Sequence, residues 1–247
     1  GSPSGAKRRA VIALRIKATD QVSGTLDSVN CTAESVVPAA WSNDWRDWFG
    51  QTLTPTRNPA DLYRWVLQGP FNNAKVGNAR INLAALNAWK ADCVTEGWQT
   101  SDLVNYETTL KQCLNNVAKT GRAEFTLRDG RFSVAQMKEQ DEPVQIFTPK
   151  NSSGFQSKRD FPPPSDGIKV EFQNEDEDFE LDEWTFFDPD IAPIDRVGQT
   201  DSLELWGVTK PELAQRHARF AYLEKRLRRE TYELTTDIEN LACARGD

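Results

Sequence analysis

Hydrophobic and polar positions alternate, cluster and break along this chain in a sequence of recognisable elements. Residues 10–18 (AVIALRIKA) read as a strand with apolar character on both sides, and a second strand is expected within 24–37, after Gly24. Trp41, Trp45, Trp48 and Phe49 then recur at i, i+4, i+7 and i+8, the spacing of one helical face. A helical block follows. Asn58 is a good N-cap, Pro59 suits the first helical position, and Asp61 complements the helix dipole; Gly69-Pro70 ends the segment. Leu62, Trp65 and Val66 form its expected inward stripe. A second helix over about 83–96 groups Leu86, Trp89, Cys93 and Val94 and stops at Gly97. A third, about 108–120, groups Leu110, Cys113, Leu114 and Val117, with Gly121 as its C′ residue.

A hairpin comes next. Ala123, Phe125 and Leu127 alternate on one arm and Phe132 and Val134 on the other, and Asp129-Gly130 supplies a turn suited to positive φ. From 139 to 167 the chain is polar and broken by prolines, so it reads as a strap or linker. Residues 168–172 (IKVEF) alternate as a half-buried strand, 174–178 make an acidic tip, and 181–187 return as a second strand. A charged amphipathic helix over about 209–228 opens on a capping box, Thr209 with Glu212, and carries Leu213, Phe220, Leu223 and Leu227 on its apolar stripe. Its cationic end leads into a last strand holding Tyr232 and Leu234. The pattern predicts an α+β chain in three parts: a β-rich segment over 1–54, a helical module with a β-hairpin over 55–138, and a second β-rich segment with the long helix over 139–247.

Composition narrows the function. Apolar residues make up 38% of 247 and mean hydropathy is −0.63, the profile of a polar globular protein or of one part of a larger assembly. The formal charge of −7 argues against a dedicated nucleic-acid binder, which needs a cationic face. No apolar run is long enough to span a membrane, and 1–9 reads as a flexible leader or cloning remnant rather than a signal peptide. Cys31, Cys93, Cys113 and Cys243 are too scattered for a zinc site with one histidine, so Cys93 and Cys113 are expected as buried free thiols of a protein made in a reducing cytosol.

Candidate chemistry is scarce. His217, the one histidine, lies between Arg216 and Arg219 and reads as a surface or boundary residue without the orienting partner a general base needs. Asp176, Asp178, Glu180 and Asp182 lack the glycine of a calcium loop, where Leu181 stands, and read as a solvated tip. No phosphate-binding loop, nucleophile elbow or metalloprotease motif occurs, so neither catalysis nor a cofactor is expected. A glycosidase-type hydrolase would need convergent carboxylates, which no motif places. Three helices and a wing can read DNA, but 58–138 hold ten Lys/Arg against seven Asp/Glu, and the third helix offers only Lys111 and Lys119. A winged-helix-like DNA-binding or regulatory module is therefore the second choice. Trp41, Trp45, Trp48 and Trp206 are the candidate interface residues, since tryptophan area goes to packing against neighbours more often than to carbohydrate stacking.

Residues 58–70 (NPADLYRWVLQGP), the Trp89 helix, the 109–117 helix and the Phe125/Asp129-Gly130 hairpin resemble the tail-tip host-specificity proteins of lambda-like long-tailed phages. The pattern continues through 168–174 (IKVEFQN), the 215–229 helix, Glu230-Thr231-Tyr232 and the closing Gly246-Asp247, so it covers about 55–247. This resemblance implies a structural protein of a virion or prophage tail, assembled in the host cytoplasm. It implies a β-barrel or sandwich-like hub that closes the tail tube as a homotrimer and contacts tube and tip subunits. It also implies that the chain is an excised central piece, with receptor binding located elsewhere, and that no catalytic residues carry over.

Overall fold

A computed structural model describes residues 31–104, 107–139, 142–161, 165–237, 243, 245 and 246. The chain divides into two units, Gly1–Ala33 and Glu34–Asp247, and every described helix and strand belongs to the second. The strand expected over 10–18, and most of the one expected within 24–37, fall outside the described residues. The fold is α+β: the described residues form four α-helices, with strands arranged in three two-stranded sheets and one three-stranded sheet.

Strand β1 (Val36–Pro38) pairs antiparallel with β2 (Leu53–Pro55), closing a loop that contains the tryptophans. Between them, Trp45–Asp47 form a single 3-10 turn, so the regular helix implied by the aromatic spacing does not form. Helix α1 (Pro59–Gln68) starts as expected, with Ala60 N–H donating to the Asn58 side chain. Its buried face differs from the expected one: Ala60, Tyr63, Arg64, Leu67 and Gln68 are buried, while Leu62, Trp65 and Val66 are half-buried. The reason is that α1 is covered on two sides, by the hairpin and helices on one and by the tryptophan loop on the other.

Helix α2 (Leu83–Glu96) is capped by Asn82 and ends in left-handed Gly97; it buries Leu86, Trp89 and Cys93 but leaves Val94 exposed. Helix α3 (Leu110–Thr120), capped by Thr109, buries Leu114 and Ala118, half-buries Cys113 and Val117, and exposes Leu110. Gly121 follows α3, but it is Arg122 that takes positive φ, at 57°. Gly121 is needed for space instead. A Cβ there would lie 2.7 Å from Trp89 Cζ2 and 3.0 Å from Pro59 Cβ, and the Gly121 carbonyl accepts the Trp89 indole N–H at 2.8 Å. Strands β3 (Ala123–Arg128) and β4 (Arg131–Gln136) form the expected hairpin, with Asp129 and Gly130 at φ 52° and 70°.

The stretch expected as a linker contains a strand, β5 (Ser152–Arg159). Strands β6 (Gly167–Asn174) and β7 (Glu180–Phe187) form the second expected hairpin, and β8 (Thr200–Glu204), absent from the sequence reading, pairs parallel with β6. Helix α4 (Pro211–Leu227) packs on β6 and β7. Its expected capping box is not formed: the helix begins at Pro211, and the Thr209 hydroxyl lies 2.8 Å from Glu175 Oε2 instead. Strand β9 (Glu230–Thr236) leaves the helix end and pairs with β5.

No closed barrel occurs among the described residues. Three strands ordered β7-β6-β8, with one face covered by α4, are too few to close. The expected boundary at 138/139 does not divide the interior either. One apolar cluster runs from Tyr63, Trp89 and Leu114 through Trp98 and Val208 to Val170, Phe172 and Ala218. Ion pairs stitch the same seam: Arg57 Nη1 to Glu175 Oε2 at 2.8 Å, and Arg216 Nη2 to Glu96 Oε2 at 2.7 Å.

Gly121→Ala is expected to lower unfolding free energy by about 1–3 kcal/mol, because rigid indole and pyrrolidine ring atoms must move to admit the methyl group. Urea denaturation of the two proteins measures the difference.

Candidate interaction surfaces

Three of the four expected tryptophans are brought together, two of them around a buried cation and the third against Trp65. Arg64 projects from α1 into the loop between β1 and β2. Its Nη1 donates to Trp41 O at 2.7 Å, Nη2 to Asn43 O at 2.6 Å and Nε to Gln68 Oε1 at 2.9 Å. Its guanidinium stands 4.2 Å from the Trp45 ring centroid and 5.1 Å from that of Trp41. Burial pushes its pKa down to about 10, which leaves it charged at neutral pH. Trp45 is fully buried, with its edge toward Trp41 and Trp65. It therefore offers no surface to another subunit; the neighbour it holds is α1 of its own chain. Trp41 is half-buried and donates to Asp61 Oδ1 at 2.7 Å, a carboxylate that also receives Lys90 at 2.7 Å and Thr56 at 2.8 Å. Trp48, half-buried, meets Trp65 edge-on at 5.9 Å. Trp206 is apart from them, 50% exposed on the loop after β8.

The largest exposed element is one the sequence reading missed. Strands β5 and β9 form an antiparallel ribbon with no buried residue in either strand. Each has one neighbour, so each leaves an outer edge of backbone N–H and C=O groups unpaired among the described residues. Phe155 and Tyr232, 64% and 57% exposed, stack on one face with centroids 5.9 Å apart and planes at 22°. A bulge between Ser153 and Gln156, with Gly154 at φ 63°, breaks the register and explains why simple alternation does not betray β5. Lys158 and Arg159 end β5 opposite Thr231 and Glu230 of β9.

A cleft of about 260 Å³ lies between α4, the β8 loop and the start of β3, bordered by Trp206. At its inner end is His217, buried rather than on the boundary as expected, with its ring 4.9 Å from Trp98. Burial, with Arg122 and Arg216 nearby, pushes the His217 pKa down to about 4, while a hydrogen bond to the Thr120 backbone acts in the opposite direction. Arg122 stacks its guanidinium 3.1 Å from the Phe220 centroid, and burial lowers its pKa to about 10. Arg122 Nε and His217 Nε2 are both buried without a hydrogen-bond partner. The acidic tip is exposed at Asp176, Asp178 and Glu180; Asp182 is half-buried and accepts from Asn174 Nδ2 at 3.0 Å. Cys93 is buried, Cys113 and Cys243 are half-buried and Cys31 is exposed, all as free thiols.

No helix among the described residues is long and apolar enough to cross a membrane. No protein-family model and no curated protein sequence matches the chain. Among solved structures, the crystal structure of the tail protein from Neisseria meningitidis MC58 superposes with a TM-score of 0.40 at 14% identity, over 66% of this chain and 54% of that one. The chain thus spans about half the length of that protein.

Two outcomes are expected from these contacts. Arg64→Met should cost about 3–5 kcal/mol in urea denaturation, since it strands two backbone carbonyls and the Gln68 side chain inside the fold. For His217 the folded pKa, about 4, lies below the ordinary value of 6.5, so the unfolded chain binds the proton first. Its contribution is complete above pH 6.5 and is lost as pH falls toward 4, with a slope of up to about 1.4 kcal/mol per pH unit. Comparing stability–pH profiles of the parent and His217→Phe should show this slope only in the parent.

Proposed function

We propose that this chain is a structural, non-catalytic component of a phage or prophage tail tip. In this reading it is part of the hub that closes the tail tube and supports host attachment through protein–protein contacts. The observation that carries the proposal is the β5–β9 ribbon. A two-stranded ribbon with no buried side chain is marginal by itself, and open edges with a stacked aromatic pair invite added strands or a covering surface. The order of motifs in 58–70, 168–174 and 215–232, which resembles the host-specificity proteins of lambda-like phages, supports the same role. Its partners are then the tube and tip subunits and two further copies of the chain around the tail axis. The apolar area goes into one continuous interior, and Arg64 with Trp41 and Trp45 anchors the neighbouring loop to it.

The second reading, a winged-helix-like DNA-binding or regulatory module, rests on three helices followed by a hairpin. The exposed face of α3 offers it only Lys111 and Lys119 as cations. A salt-dependent DNA mobility shift at low ionic strength would favour it over the tail-tip role.

Phe155→Asp combined with Tyr232→Asp is expected to leave the thermal unfolding of the isolated protein near that of the parent, because both rings are exposed. In the producing phage or prophage it should abolish incorporation into tails, scored by mass spectrometry of purified particles and by electron microscopy. Normal incorporation of the folded double variant would overturn the assembly role of the ribbon.

A further inference from the structure

We propose that the free edge of β9 in one copy of this chain pairs antiparallel with the free edge of β5 in a second copy, joining subunits head to tail. The inference rests on the assembly role proposed above for the ribbon, and it names what covers the ribbon's edges.

The two edges differ in charge. Strand β5 carries Lys158 and Arg159, both exposed, and no carboxylate; β9 carries Glu230 and Glu233, both exposed, and no cation. Within the chain the register sets Arg159 opposite Glu230, with 4.0 Å between their charged atoms, and Gln156 opposite Glu233. Any strand on the outer edge of β9 meets the same two carboxylates, and any strand on the outer edge of β5 meets the same two cations. Each edge therefore complements the other. Among the described residues, the sequence that pairs with β9 is β5 itself. A second copy supplies the same strand with its length, charges and register already matched.

Pairing like with like fits less well. Two β9 edges in full antiparallel overlap set Glu233 against Glu233, and like charges directly opposite destabilise a sheet. Two β5 edges bring two irregular segments together, since each strand bulges between Ser153 and Gln156. In the head-to-tail arrangement the regular part of β5, 156–159, meets 230–233 of β9, and the bulge lies outside the ladder. Side chains keep their faces, so the Phe155/Tyr232 stack of one copy continues beside that of the next. The contact uses a different surface on each subunit, so it propagates until it closes on itself. The bulge adds twist to the strand, and strongly twisted sheets curl toward closure.

The test is sedimentation velocity of the intact protein at low salt, up to about 1 mM, a range in which a short ladder registers. The parent should associate reversibly as its concentration rises. Lys158→Glu with Arg159→Glu, and Glu230→Lys with Glu233→Lys, each give both edges of one molecule the same sign. Each pair of changes should weaken self-association at least about tenfold. An equimolar mixture of the two variants should recover it, and so should the protein carrying all four changes. Both variants keep a net negative charge, so recovery in the mixture reports matched edges rather than general attraction. The four side chains are exposed, and thermal unfolding near that of the parent identifies variants that fold. A parent that stays monomeric at about 1 mM overturns the proposal without any variant. Parent-like association of either folded variant overturns it too, as does a mixture that fails to recover. The assembly role is read separately: a monomeric parent, with Phe155→Asp/Tyr232→Asp lost from tails, overturns only the second copy as occupant of the ribbon. Self-association of the parent, with normal incorporation of that double variant, supports the pairing of copies and overturns only the ribbon's role in tails.

Discussion

Helix α4 has two jobs, and the architecture depends on its doing both. Ala214 and Ala218, fully buried, let its backbone approach the β6–β7 sheet closely, where Ile168, Val170 and Phe172 form the facing surface. His217 lies on the adjacent part of the helix and faces Trp98, next to the end of α2. The helix is therefore the wall shared by the helical layer and the sheet. Without it, a three-stranded sheet would have one apolar face open to water, and the α1–α3 cluster would lose the contacts at Trp98 and Val208. Apolar burial at roughly 25 cal/mol per Å² makes such a shared wall worth more than any ion pair at the seam. Arg57–Glu175 and Arg216–Glu96 then set the alignment of parts that burial has already brought together.

Most polar groups inside the unit meet partners that position a neighbouring segment. Arg64, Asp61 and Gln68 are buried, and each meets partners in a loop that would otherwise have no reason to lie against α1. Arg64 and Gln68 organise the segments around 41–43 and 76–78, and Asp61 ties Thr56, Trp41 and Lys90 to the start of the helix. Four buried side-chain atoms among the described residues meet no partner: Thr108 Oγ1, Arg122 Nε, Arg196 Nε and His217 Nε2. The ribbon of β5 and β9 carries backbone donors and acceptors along both outer edges.

Local rules made much of the fold legible. Asn58-Pro59 and Gly97 mark helix ends through short-range hydrogen bonds and positive φ, and the structure uses each of them. Asp129-Gly130 forces a turn because its dihedral angles suit few other residues, and the alternation in 168–172 identifies the central strand of a sheet covered on one face. Chain neighbours decide such features, so the sequence alone determined the helical block, both hairpins and the α+β class. Tertiary packing decided the rest. Thr209 lost its capping role because Glu175, 34 positions away, offered a competing partner. The inward face of α1 rotated because a second loop covers it and Arg64 prefers that loop's carbonyls to water. Strand β5 exists only because β9 lies beside it, and β8 because β6 offers it a parallel edge. The tryptophans could be recognised as packing residues from their size, but whether each faces its own core or the outside depends on where a distant cation is buried. No spacing along the chain records that, because burial is a property of the surfaces that meet, not of the residues between them.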